Sequence, residues 1–405
     1  MAEKRSKAVD SLLSMLPQEE TMEVKKGESQ LFIGIPKEIT FQENRIPLIP
    51  EAVSLLTSRG HEIWMETGAG KASNIEDSDF SEAGAKIVFS PDEVYKADLI
   101  LKVAPPLTEE IDFMKHNQHL ISILQIGIQK EEYLKKLSSK KITAIGYEYI
   151  RDDNGIYPII QAMSEIVGST CILIAAEYLS NAFHGKGEIL GGISGIPPTE
   201  IVIIGAGTVA EYAARAAIGL GATVKVFDNS VYRLRRLQNR LGRRIFTSVI
   251  NPTTLLKELK NADVAIGALR SNGGRTPIVV TDEMVSEMRV GSVIIDVSID
   301  EGGCFETSKV TNHSVPVFKK YGVIHYCVPN IASRVSRTAS TALSNIFTPI
   351  LLSIGEEGGM DEMLWKNKSV RNGVYLHKGS VTNRYVSEFS KMPFKDLDLI
   401  MAARI

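Results

Sequence analysis

Residues Glu200 to Asp228 read EIVIIGAGTVAEYAARAAIGLGATVKVFD, and their order decides the fold. A β-branched run, Ile201 to Ile204, leads directly into Gly205-Ala206-Gly207-Thr208-Val209-Ala210. A helical pattern follows, and then a second strand pattern that ends on Asp228. Each part has a physical job. Gly205 permits a tight turn, Gly207 lets backbone approach a pyrophosphate, and the small Ala210 lets helix and strand pack closely. The helix N-terminus presents free N–H groups and a positive dipole end to the phosphates. Asp228 stands where a ribose hydroxyl can donate to it. A lone GxGxx(G/A) is a weak signal, but strand, glycines, helix, strand and acid arrive here together, which points to a bound dinucleotide. The acid would repel a 2′-phosphate and so favours NAD over NADP. Arg233, Arg235 and Arg236 lie just beyond and read as a solvated helix face.

Outward from this unit the same alternation continues in both directions. Downstream come the strand patterns IFTSVI, DVAIGAL, SVIIDV and VIHYCV, separated by helices such as NPTTLLKELK and TDEMVSEM. Upstream, from Leu31, LFIGIP, HEIWMET, DLILKV, HLISIL and KITAIGYE alternate with helical runs. Strands alternating with helices predict a parallel sheet covered on both faces. Ile166, Thr170, Leu173 and Ala176 mark one face of a long connecting helix between the two series, and the Gly/Pro-rich GGISGIPP then breaks it. The helical pattern Thr338 to Ile354 and the tail to Ile405 carry no comparable strand series and are expected to pack back on the first unit. The expected architecture is α/β with two doubly wound domains. A Rossmann NAD-binding domain, residues 161–337, is inserted in a discontinuous substrate domain, residues 31–160 and 338–405. Residues 1–30 form an extension with one amphipathic stripe, Val9, Leu12, Leu13 and Leu16.

Composition narrows the function. With 46 Lys+Arg against 48 Asp+Glu, the 405 residues supply no broad basic field, so no nucleic-acid partner is expected. The most apolar stretches are interrupted by Glu177 and by Glu211 with Arg215, so no membrane span is expected. Three cysteines, Cys171, Cys304 and Cys327, form no CxxC pair, which fits a reducing compartment. A cytoplasmic location follows as an expectation. No group of His, Cys, Asp and Glu shows ligand spacing, so no metal is expected.

A dinucleotide domain says only that a cofactor binds, so the reaction is sought in the first domain. Arg45 sits between a polar loop and an apolar turn in IGIPKEITFQENRIPLIP, and Lys102 interrupts the apolar strand DLILKV near its C-terminal end. Open α/β sheets hold ligands at the C-terminal ends of their strands. Two cations converging on one crevice suit a small carboxylate, which guanidinium holds through paired hydrogen bonds.

The segments GIPKEITFQENRIPLIPEAV, LKVAPP, AMSEIVG, GGISGIPPTEIVIIGAGTV, IIDVSIDEGGCFE and CVPNIASRVSRTAS resemble, in collinear order, the signatures of alanine dehydrogenase and the related NAD-binding alpha component of proton-translocating transhydrogenase. The resemblance runs from about Phe32 to Ile354. It implies NAD-dependent, reversible oxidative deamination of L-alanine to pyruvate and ammonia, with a small 2-amino or 2-oxo acid as substrate and a homo-oligomer, dimer or hexamer, as the assembly. By the same resemblance Arg45 holds the substrate carboxylate, Lys102 lies at its carboxylate and carbonyl, and Asp300 sits beside nicotinamide and substrate. Ser164, Asp228 and Asn330 match cofactor-contacting positions, and Glu38 is expected to support the Arg45 region. Asp296 reads as structural, Cys304 as a small buried residue, and His325 as a satisfied core histidine.

One position departs from the pattern. The family's active-site histidine follows the strand corresponding to HLISIL, and Gln125 stands there. Glutamine donates and accepts hydrogen bonds but carries no proton near neutral pH. General acid-base assistance is worth ~10²–10⁴-fold, so Asp300 or a Lys102 of depressed pKa would have to manage the protons. His119, six residues earlier on an extended strand, is roughly 20 Å away and a poor substitute. The alternatives are a transhydrogenase-like NAD(H)-binding module, to which NIASRVSR is closer, a related 2-amino-acid dehydrogenase with another substrate, and a non-enzymatic NAD sensor. Against the transhydrogenase-like reading, the chain lacks the long insertion between Asp228 and Val264 that the transhydrogenase component carries.

Overall fold

Apolar runs with no polar alternation have to be covered on both faces, and the strands of this chain meet that condition in two parallel-rich sheets. The computed structural model describes residues 29–152, 154–270 and 275–403. The amphipathic stripe expected in the extension lies outside the described residues. The first sheet contains β1 (Phe32–Ile35), β2 (Glu62–Glu66), β3 (Lys86–Val88), β4 (Leu99–Leu101), β5 (His119–Ser122) and β6 (Thr143–Gly146), all parallel, in the order β3-β2-β1-β4-β5-β6. The last two strands of the chain, β14 (Val374–His377) and β15 (Ser380–Val381), extend this sheet, with β14 antiparallel to β6.

The second sheet contains β7 (Glu200–Ile204), β8 (Thr223–Phe227), β9 (Phe246–Ser248), β10 (Val264–Gly267), β11 (Val293–Asp296), β12 (Val317–Lys320) and β13 (Val323–Tyr326). Its order is β9-β8-β7-β10-β11-β13-β12, parallel except for β12 against β13. The protein is therefore α/β with two doubly wound domains, the Rossmann domain inserted in a discontinuous partner. In each sheet the winding reverses direction once, between β1 and β4 and between β7 and β10. At such switch points the loops leave in opposite directions and open a crevice.

Two helices join the domains. The helix Pro158–Leu179 places Ile159 in the first core and Cys171 to Leu179 in the second. By length and composition alone it is apolar enough to cross a membrane. In the fold, much of that apolar surface is divided between the two cores. The helix Ser336–Glu356 returns to the first core with Leu343, Phe347, Leu351 and Ile354. The helix caps follow sequence chemistry: Ser230 accepts from the N–H of Arg233, and Asn251 from those of Thr253 and Thr254.

Strands β3, β12, β14 and β15 were not among the expected ones. They have two to four residues each, too few for a period to stand out from loop sequence.

The helix Pro158–Leu179 crosses the helix Thr208–Gly219 at Gly168. There a Cβ would come within 2.5 Å of the Val209 carbonyl oxygen and 2.8 Å of Tyr212 Cβ. Overpacking of this kind costs ~1–3 kcal/mol. Gly168→Ala is therefore expected to lower the thermal midpoint seen by circular dichroism; an unchanged midpoint would show that the two helices part freely.

Candidate functional site

The loops that leave β1 and β4 carry the first cluster. Lys102 directly follows β4 and has 0% exposed surface. A wholly buried ammonium needs partners, and it has two carboxylates. Nζ lies 2.7 Å from Glu110 Oε1 and 3.2 Å from Glu38 Oε2. Glu110, on the helix Thr108–Phe113, also accepts from the Tyr95 hydroxyl at 3.0 Å and from the N–H of Leu107 at 2.7 Å. Glu38 follows β1 and accepts from the N–H of Val103 at 2.6 Å. Glu38 thus supports Lys102 directly, where the sequence pointed it toward Arg45. Burial pushes the Glu38 carboxyl up to about 7 against the pull of Lys102. Burial also works against the Lys102 ammonium, but the two carboxylates outweigh it and its pKa rises.

Arg45 is 8% exposed. Its Nε and Nη2 donate to the two carboxylate oxygens of Glu43 at 2.7 and 2.6 Å. Nη1 faces Met163 Sδ at 3.5 Å, one residue from half-buried Ser164 on the helix Pro158–Leu179. Glu43 Oε2 also accepts from Asn330 Nδ2 at 2.9 Å. Burial works against the Glu43 carboxylate, yet Arg45 holds its pKa below the usual value. Asn330 follows β13 in a left-handed conformation, φ 57°, and its N–H donates to Asp300 Oδ1 at 3.2 Å. Asp300 lies in a short turn, Val297–Glu301, after β11 and keeps an exposed edge. Surrounding protein raises its carboxyl to about 6, opposed by the Asn330 N–H and by Arg45. Arg45, Glu43, Asn330 and Asp300 therefore meet across the domain boundary.

The loop before Arg45 makes further contacts across that boundary. Gln42 accepts from the N–H of His313 at 2.6 Å and donates to Ser314 Oγ at 3.0 Å. The Ser333 hydroxyl donates to the Gln42 carbonyl and accepts from the N–H of Asn44.

Gln125 follows β5 with φ 49° and an exposed side chain. Its N–H and that of Leu124 both donate to Glu148 Oε1, at 3.1 and 2.8 Å. Glu148 follows β6; its Oε2 is buried without a hydrogen-bond partner, and burial raises its carboxyl to about 7. Glu43, Glu110 and Glu148 were not among the expected site residues. Glu148, the last residue of the strand pattern KITAIGYE, carried the same signal as Lys102. Glu43 and Glu110 carried none, because their partners are set by chain folding.

The dinucleotide end is built from the glycine turn. Gly205 has φ 113°, and a Cβ there would come within 2.3 Å of the Ala268 carbonyl oxygen. A Cβ on Gly207 would meet nothing within 4 Å, which leaves open space above the N-terminus of the helix Thr208–Gly219. Ala210 is buried completely against the second core. This cradle fits a dinucleotide pyrophosphate. Asp228 is buried, and its oxygens accept from the N–H groups of Ala206 (2.8 Å) and Ser230 (2.7 Å), so it braces the turn itself. Arg233 approaches it only to 3.9 Å.

Three other residues fall where the plainer reading put them. Asp296 is buried and accepts from Ser298, Cys304 and Ser308. Cys304 is buried beside that carboxylate; desolvation and the nearby charge push its thiol well up, the reverse of what a nucleophile needs. His325 is buried, with Thr307 and the Val323 carbonyl as ring partners.

Comparison with known proteins agrees with this geometry. Residues 34–167 match the family described as "Alanine dehydrogenase/PNT, N-terminal domain", and residues 171–384 match "Alanine dehydrogenase/PNT, C-terminal domain". Alanine dehydrogenase 2 of Staphylococcus aureus strain USA300 is 37% identical over 367 residues, 90% of this chain and 98% of that protein. A solved L-alanine dehydrogenase superposes with TM-score 0.83 at 35% identity over 88% of this chain and 98% of that one. A transhydrogenase from Sinorhizobium meliloti shares the fold, with TM-score 0.74 at 24% identity over 87% of this chain and 99% of that one. Two family domains that tile nearly the whole described length, and relatives above a third identical from end to end, leave one conclusion: the chain belongs to the alanine dehydrogenase/PNT family.

Proposed function

We propose that the protein is an NAD-dependent alanine dehydrogenase that interconverts L-alanine with pyruvate and ammonia. The observation that carries this reading is the meeting of Arg45, Glu43, Asn330 and Asp300, which joins a cation of one domain to the loops after β11 and β13 of the dinucleotide domain. NAD, when bound, supplies the hydride acceptor for the substrate Cα. The protein's own residues bind and orient. Glu43 grips the Nε/Nη2 edge of Arg45, so the Nη1 edge, beside Met163, is the one that takes the substrate carboxylate. Lys102 addresses the adjoining carbonyl or amine, and Asp300 lies at the nicotinamide side. Gly205, Gly207 and Ala210 hold the cofactor's pyrophosphate, with Asp228, Ser164 and Asn330 at its periphery.

The described arrangement is closed, since Lys102 has no exposed surface. Substrate enters as the contacts of Gln42 to Arg45 with residues 313 to 333 loosen, and closure then excludes water from the charged groups. The substrate domain comprises residues 31–160 and 338–405, and the cofactor domain residues 161–337. Exposed Ile189, Ile193 and Ile196 lie on a loop whose Gly191 abuts the Leu220 carbonyl, and Leu220 is itself exposed. That apolar surface supports a homo-oligomer. Three buried, unbonded cysteines accord with the reducing cytoplasm. A second reading, an NAD(H)-binding module that no longer deaminates, draws on Gln125 and on the segment NIASRVSR.

Lys102→Ala is expected to cut pyruvate reduction with ammonia by ~10²–10⁴-fold, the scale of a lost acid-base group, while NADH affinity by fluorescence stays within a few-fold. Equal loss of both would count against the assigned role. Gly205→Val, forced to φ 113° against the Ala268 carbonyl, is expected to abolish NADH binding in the same assay. Gln125→His should raise pyruvate reduction roughly tenfold or more; no gain would mean that proton transfer is already supplied elsewhere.

A further inference from the structure

Gln125 carries no proton, so the reaction needs another group to move one. The cluster at the β1/β4 switch point has the composition for it. Glu38 and Glu110 both lie on the single ammonium of Lys102. Arg45, on which the Glu38 charge also acts, is already engaged by Glu43. Three carboxylates thus face two cations in a space closed to solvent, and a surplus buried charge is costly unless a proton neutralises it. Other ionisable groups facing the cluster are Glu66, the last residue of β2, Lys37, whose charge reaches Glu66, and the hydroxyls of Tyr95 and Tyr147. Glu66 adds further negative charge and accepts from the N–H of Lys37. Tyr95 donates to Glu110, and Tyr147 to the Val103 carbonyl. Of these only Lys37 is a cation, and the charge it offsets is that of Glu66.

Glu38 is the member best placed to hold the extra proton. Glu110 spreads its charge over Lys102, Tyr95 and the N–H of Leu107, whereas Glu38 has the Val103 N–H on Oε1 and, on Oε2, only the longer 3.2 Å approach of Lys102. We propose that Glu38 is the proton store of the alanine dehydrogenase reaction, acting through Lys102 as a positioning residue and doing the work that a histidine at position 125 would do. The proposal rests on the reaction proposed above.

In the deaminating direction the step balances as follows. Once the substrate Cα is oxidised to the iminium, water adds to it, a C–O bond forms and one water O–H bond breaks. The released proton passes to Lys102 Nζ as Lys102 gives one to Glu38. The same route returns a proton to the amine nitrogen. Nitrogen then leaves as ammonia with the C–N electron pair, the hydroxyl gives up its proton to the relay as the carbonyl forms, and Glu38 passes that last proton to solvent through Lys102 as the products leave, which empties the store. The store must be empty to begin, so kcat for alanine oxidation rises with pH as Glu38 loses its proton. The carboxyl's raised value of about 7 puts the limb near neutrality.

The test is Glu38→Gln in the full chain, which keeps an oxygen for the Val103 N–H. With saturating L-alanine and NAD between pH 6 and 9, the wild type is expected to show a rising limb near pH 7. Glu38→Gln should lose that limb and turn over ~10²-fold more slowly at pH 8, with NADH affinity unchanged. A purely structural glutamate would lower stability without removing the limb. A limb retained in Glu38→Gln, or lost instead in Glu148→Gln, overturns the proposal. Should Glu38→Gln fail to fold, proton uptake by the wild-type NADH complex on adding pyruvate without ammonia decides. Uptake centred above pH 7 and retained in Glu148→Gln supports Glu38, while none, uptake lost in Glu148→Gln, or uptake centred near pH 6, the value to which Asp300 is raised, overturns it. A wild type with no turnover of alanine removes the reaction and this inference together; turnover with an unchanged limb in the variant removes the inference alone.

Discussion

A single ammonium enclosed by protein organises the edge of the first sheet. Lys102 follows β4, Glu38 follows β1, and Glu110 comes from the helix after β4, so one charge ties together the elements flanking the switch point. The Coulomb attraction is strong because water is excluded, and for the same reason none of the three can be left alone. The Val103 N–H on Glu38 and the Tyr95 hydroxyl on Glu110 complete the set, fixing the direction in which the crevice faces. A similar logic governs Arg45, whose guanidinium plane is set by Glu43 before any ligand arrives.

The second domain contributes geometry more than charge. Its glycine turn is held by Asp228 through the N–H of Ala206, and its loop after β13 presents Asn330 to both Glu43 and Asp300. Asn330 adopts a left-handed conformation, which its short polar side chain tolerates better than most residues do. With the contacts of Gln42 and Asn44 to residues 313 to 333, Asn330 makes the position of Arg45 depend on how the domains are docked.

What could be read in the sequence was whatever local pattern encodes. β7, the glycine turn, the following helix and β8 were legible because their order within about thirty residues is itself the signal. Lys102 was legible as a charge inside an apolar strand, and Arg45 as a cation after one. The partners were not. Glu43 and Arg45 are near in sequence, but Asn330 reaches Glu43 from 287 residues away, and no periodicity records that. Asp228 shows the same limit, since its spacing marked a ribose ligand and could not show that its oxygens already brace Ala206 and Ser230.

The hairpin β14–β15 closes the far edge of the first sheet on β6, although more than 220 residues of chain separate them. Synthesis on the ribosome runs from one end, so β6 emerges long before its neighbour exists, and its open hydrogen-bonding edge stays unmatched in the meantime. The inserted domain, contiguous in the chain, is complete earlier. The order of birth is therefore the reverse of the order of numbering: the second sheet matures while the first waits for the final stretch of the polypeptide to seal it.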